Sequence, residues 1–153
     1  MKNTTTHNFP DRVILHCSAT PDYPFDSDDF DRIRATHIRD WHLKRGFDDI
    51  GYHFVVTRSG IIETGRHPNR MGAHCKGHNK NSIGVCWVGT NNPTKTQVRE
   101  LLNLYILINK SWAIDWTGWH GHNEFNPHKA CPFISMDLLR QALQWYHRSA
   151  FLK

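Results

Sequence analysis

His16, His122 and Cys131 offer two imidazole nitrogens and a thiol, a donor set suited to a zinc ion that keeps a fourth position for water or substrate. Each is ordinary on its own. A histidine closing an apolar strand is most often a hydrogen-bonded core residue, and a lone cysteine is usually a small buried hydrophobe. Their placement raises the question. His16 ends the run RVILHCSAT, whose Val13, Ile14 and Leu15 are apolar in both alternation classes, the pattern of a strand buried on both faces. His122 ends a short late strand, and Cys131 comes nine residues later in a loop that Pro127 and Pro132 restrict. A loop of that length can return a thiolate beside the histidine at its start. Two rivals stand next to these candidates. His120 shares a strand face with His122 by the period of two, and Cys17 adjoins His16 but on the opposite face.

The elements that must position these groups are legible from periodicity. The first strand leads into an irregular, Asp- and Pro-rich stretch. Asp26, Asp28, Asp29 and Asp31 then sit where a helix would begin, with Ser27 or Asp28 as N-cap. Phe30, Ile33, His37, Ile38 and Trp41 recur at helical spacing, and Gly46 ends the helix. GYHFVVTRSGIIETGR reads as strand, turn at Ser59-Gly60, and strand. NSIGVCWVG is a buried strand interrupted only by Gly84. A helix from about Thr94 to Ser111 follows, then a short strand near Thr117 to His122 and a last helix over about Ser135 to His147. This alternation predicts an α/β fold, one domain over residues 1–153 with its core at about 12–147. A central mixed sheet is flanked by helices on both faces.

Composition narrows the function. Hydrophobic residues make up 39% and charged residues 22% of the 153, as in a soluble globular protein, and no apolar run reaches membrane-span length. MKNTTTHNFPDR has no apolar core, so no secretory signal is expected. The four scattered cysteines then read as reduced thiols, and the lack of a CxxC pair argues against a zinc ribbon. Twelve histidines are many for this length and fit a metal site. The net charge of +5 suits an anionic partner, or solubility alone. No nucleic-acid motif accompanies it, so none is expected as partner.

Four stretches, HCSAT, GYHFVV, GAHCKGHNKNSIGVCWVG and GHNEF…HKACP, in this order and at these separations, resemble the zinc-dependent N-acetylmuramoyl-L-alanine amidases of type 2. That family shares its fold with peptidoglycan recognition proteins, and the short endolysins of bacteriophages are the members this chain most resembles. The resemblance runs from about Val13 to Leu143. It implies one zinc ion per chain, held by His16, His122 and Cys131, and so favours His122 over His120. It implies catalytic roles for Tyr52 and Lys129, and hydrolysis of the amide joining N-acetylmuramic acid to L-alanine in peptidoglycan. Without the resemblance, Tyr52 would be a strand aromatic and Lys129 a solvated loop residue. The segment from His122 to Cys131 is one residue longer than in the phage relatives, which makes His128 a residue of interest. Glu124 reads as support for its loop.

The basic stretch TGRHPNRMGAHCKGHNKNS, a solvated loop by default, falls where the family places its substrate groove, so His74 and Asn81 are expected to line it. The resemblance further implies synthesis in a host cytoplasm and action on the wall after release. A non-catalytic peptidoglycan-binding module, or a regulator binding a protein partner as in some phage relatives, is the competing expectation.

Overall fold

The structure, a computed structural model, describes residues 7–152, so the first six residues, part of the segment read as lacking a secretory signal, lie outside it. Five strands form one sheet: β1 (Arg12–Cys17), β2 (Phe54–Val56), β3 (Ile62–Thr64), β4 (Ser82–Trp87) and β5 (Trp119–Gly121), in the order β3-β2-β4-β1-β5. All neighbours are parallel except the edge pair β2–β3. β1 is therefore an interior strand, with β4 on one side and β5 on the other, and its apolar residues need no alternation because both faces of the sheet are covered. The turn expected at Ser59-Gly60 joins β2 to β3; Gly60, at φ 89°, supplies the left-handed residue that this turn requires.

Register and parity together divide the sheet. Leu15, Val85 and Phe54 lie side by side in one row, and His16, Cys86 and Val55 in the next. The first row belongs with Val13, Cys17 and Trp87 to the main core, packed under α2 (Lys95–Trp112) and α4 (Met136–Phe151) through Leu101, Leu104, Leu139 and Leu143. The second row points to the other face, where Val55 and Val88 pack with Ile38 of α1 (Ala35–Lys44). The sheet is covered on both faces, as expected. α2 begins with a reciprocal cap: Thr94 Oγ1 accepts Gln97 N–H at 3.0 Å and Gln97 Oε1 accepts Thr94 N–H at 2.9 Å.

Two sequence expectations change. α1 starts at Ala35, not among the aspartates at 26–31, where the chain only turns. Those groups serve other partners: Ser27 Oγ accepts Asp29 N–H at 3.1 Å, and Asp31 accepts the backbone N–H and the hydroxyl of Ser59 at 3.1 and 2.8 Å. The helix is capped from a distance instead, Glu63 Oε1 of β3 accepting Ala35 N–H at 3.0 Å. The late start also rotates the buried face to Ala35, Ile38 and His42, leaving His37 and Trp41 exposed. At the other end the prediction holds, with Gly46 at φ 92° after the last turn. The strand expected over Thr117 to His122 is only β5, because Trp116–Gly118 forms a 3-10 turn capped by Asp115, and His122 opens the short helix α3 (His122–Phe125).

Candidate active site

β1 and β5 run parallel with Leu15 beside Gly121, so the next residue of each chain, His16 and His122, emerges at the same level of the sheet's carboxyl edge. This edge is where open α/β sheets place their ligands. His16 Nδ1 and His122 Nδ1 are 3.1 Å apart, although 106 residues separate them in sequence. The chain after α3 returns Cys131 to the same point, its Sγ accepting Cys17 N–H at 3.1 Å. One donor atom from each of His16, His122 and Cys131 lies within 4.8 Å of the other two. His120 stays outside, its ring packed edge-on against Phe125 at 5.5 Å. The strand-face argument that made it a rival fails because the strand ends at Gly121.

These donors suit a metal ion. Two nitrogens bound at about 2.0 Å to a tetrahedral zinc lie about 3.3 Å apart, close to the spacing here. Burial, then the neighbouring His74 and His122, holds His16 well below the usual imidazole range; burial, then Lys129, lowers His122. Both rings are thus neutral at pH 7, the state that ligation requires. The Cys17 thiol is brought to about 7 by the adjacent Cys131 thiol, while Cys131 is raised by the same neighbour and then by burial. A metal ion on Cys131 would override that order, since coordination deprotonates a thiol.

The cluster forms part of the wall of an open cavity of about 660 Å³. Tyr52 enters it from the start of the β2 segment, its ring centroid 5.2 Å from that of His16. Burial, then the surrounding thiols, raises the Tyr52 phenol well above 10, so it carries its proton at neutral pH. Lys129 and His128, both exposed, also line the cavity, on the loop that carries Cys131. Glu124 faces away: Oε1 accepts Gly121 N–H and Arg140 Nη1–H, both at 2.8 Å, and so ties α3 to α4.

His74 lines the cavity, and its Nδ1 is 2.9 Å from His16 Nε2. Asn81 is outside the cavity, in a left-handed conformation (φ 58°) at the turn into β4, where its Oδ1 accepts Phe9 N–H at 3.4 Å. Asn79 lines the wall in its place. Sequence reasoning also missed the contribution of α1. His42, four residues after Ile38 on the buried face, accepts Gly51 N–H at Nδ1 (2.9 Å) and sits 5.5 Å from the Tyr52 ring. Its spacing from Ile38 was the available signal. Arg45 and Phe47 extend that side of the cavity.

The family model described as N-acetylmuramoyl-L-alanine amidase matches residues 6–133, and the chain belongs to that family. It is 35% identical over 147 residues to the endolysin of Escherichia phage T7, covering 91% of this chain and 87% of that one. Among solved structures, N-acetylmuramoyl-L-alanine amidase LysC from Clostridium intestinale superposes with TM-score 0.76 at 23% identity, over 90% of this chain and 87% of the other. Wild-type Drosophila PGRP-LB superposes with TM-score 0.72 at 30% identity, over 92% and 85%. A mutant of that protein is seen in complex with tracheal cytotoxin.

Proposed function

We propose that this protein is a zinc-dependent peptidoglycan amidase of the phage endolysin kind. It would be made in the cytoplasm of an infected cell and act on the wall after release. The carrying observation is the convergence of His16, His122 and Cys131 within 4.8 Å at a cavity that Tyr52 and Lys129 also line. A module that only binds peptidoglycan has no need for a thiol and two neutral imidazoles directed at one point.

In this reading His16, His122 and Cys131 hold the ion. Zinc there would supply Lewis acidity to the scissile carbonyl and to the attacking water. The chain's own groups do the rest. Strand β1 and the start of α3 fix the two imidazoles rigidly, as a ligand set requires. Tyr52, kept protonated by burial, donates a hydrogen bond to the oxygen on which negative charge develops. Lys129 brings a positive charge to the same oxygen from the loop side. Water supplies the second oxygen of the carboxylate left on the lactyl group of N-acetylmuramic acid, and its protons pass to the departing nitrogen as the C–N bond breaks, freeing the amino group of L-alanine. Arg45 and Lys76 on the cavity wall suit the carboxylates of a stem peptide.

Mass spectrometry of peptidoglycan digested with the purified protein tests this. Stem peptides with free L-alanine amino termini are expected, lost with a chelator and restored by zinc. Their absence with zinc-loaded protein would exclude the activity. Tyr52→Phe and Lys129→Ala should each lower turnover by about 10²–10³-fold while zinc content stays at one per chain; loss of zinc from either would reassign that residue to the ligands.

A further inference from the structure

Gly84 interrupts an otherwise side-chain-bearing strand, and nothing in the proposed chemistry accounts for it. A Cβ there would lie 2.6 Å from both Cγ and Cδ2 of His74, and one on Gly72 would lie 2.7 Å from Cδ2. Two glycines therefore leave the slot that the His74 ring fills. Both ring nitrogens have partners: Nδ1 is 2.9 Å from His16 Nε2, and Nε2 is 3.1 Å from Ser82 Oγ. Ser82 Oγ lies 2.8 Å from the Asn79 carbonyl oxygen. Asn79 also holds the approach to the ring, its Oδ1 accepting His74 N–H and Cys75 N–H, both at 2.8 Å.

The proton positions along this row follow from its far end. A carbonyl oxygen only accepts, so Ser82 donates its hydroxyl proton to Asn79. The Ser82 oxygen then accepts from His74 Nε2–H. The hydrogen-bond partners of the two ring nitrogens are an imidazole and a hydroxyl, with no carboxylate among them, so a second proton on the ring would be a charge without a counter-charge. His74 Nδ1 is accordingly a lone pair, and His16 Nε2 must carry the proton that bridges them. His16 Nδ1 is left bare, 3.1 Å from His122 Nδ1 and inside the donor cluster.

We propose that Asn79, Ser82 and His74 form a hydrogen-bonded relay that locks His16 in the Nε2–H tautomer and aims its Nδ1 lone pair at the metal position, with Gly72 and Gly84 reserving the space for the middle ring. Its purpose rests on the zinc reading above; its existence does not. His74 is thus a positioning residue acting through His16. Imidazole ligands generally depend on such a partner at the second nitrogen, and its loss weakens metal binding by about 10–100-fold.

The test measures two quantities that a purely structural role would leave unchanged. Nitrogen-15 NMR of the metal-free protein should show the proton of His16 on Nε2, and competition with a chromophoric chelator gives the zinc affinity. His74→Leu should weaken zinc about 10–100-fold, and Gly84→Ala should weaken it while deleting no polar group. Ser82→Ala should shift affinity in the same direction by less. His74→Asn, which offers an acceptor near the Nδ1 position, should stay within about threefold of wild type. A His16 proton on Nδ1 in the wild-type protein, or wild-type zinc affinity in a folded His74→Leu variant, would overturn the relay. Should His74→Leu fail to fold, the wild-type tautomer and Ser82→Ala decide. No zinc binding by a wild-type protein whose His16 carries its proton on Nε2 would overturn the metal reading and support the relay.

Discussion

Val13, Leu15 and Cys17 point to one face of β1; Ile14 and His16 point to the other. On the first face the strand meets Leu101, Leu104, Tyr105, Leu139 and Leu143, a buried apolar core. On the second, toward its carboxyl end, it meets His74, His122 and Tyr52 around an open cavity. One face is held by area removed from water, which is tolerant of detail. The other is held by hydrogen bonds whose direction matters, which is not. Successive residues of one strand can therefore carry stability and chemistry separately, and substitutions on the two faces should fail in different ways.

The largest effect is expected on the polar face. Cys131→Ser should abolish amide hydrolysis and zinc retention while leaving the circular dichroism spectrum of the fold, read together with metal content. Extensive unfolding in that variant would mean that the two faces are not separable. Leu101→Ala, its mirror image in the core, should cost about 2–5 kcal/mol in denaturant unfolding, with turnover preserved in the fraction that stays folded. A fall in activity beyond the loss of folded protein would break the division from the other side.

Trp87 joins the two regions. Its ring is in the core, and its Nε1–H donates to Pro132 O at 2.9 Å, just beyond Cys131. Trp87→Phe should therefore cost about 1 kcal/mol for the lost hydrogen bond, in addition to its packing loss, and weaken zinc binding as well. Unchanged zinc affinity would show that the loop is held without Trp87.

The smallest effect is in acid. Burial pushes Glu63 up, but the hydrogen bonds from Arg34 and from Ala35 N–H outweigh it and hold its carboxyl below the usual value. A lowered folded value means stabilisation that is complete above the unfolded carboxylate range near ~4.3 and is lost as pH falls through the folded value. Melting temperature should accordingly drop less steeply below pH ~4 in Glu63→Gln than in the wild type, relative to each protein at pH 7. Equal slopes would remove Glu63 from the acid response.

Much of this was legible in the chain. The both-face apolar run of β1 marked a strand buried on both faces, and helical spacing from about Thr94 marked α2, since periodicity and burial patterns are local signals. The beginning of α1 was not, because its cap comes from Glu63, while the carboxylate of Asp31 is committed to Ser59 and that of Asp29 to Arg32. Asn81 was expected in the groove on the strength of a basic stretch, but charge along a loop does not say which side chains turn inward; Asn79 does and Asn81 does not. His42 was overlooked because a helix assumed to start too early has its buried face assigned to the wrong residues.

By itself, the sequence determined the donor types, the strands and helices that carry them, and the motifs that assign the family. Choosing His122 over His120 from residues alone needed the point where β5 stops, and seeing that His16 is aimed by His74 needed the positions of four further groups. These belong to tertiary structure for a physical reason. Periodicity reports which way a side chain faces within its own element, whereas two donors 3.1 Å apart across 106 residues are set by the register between elements.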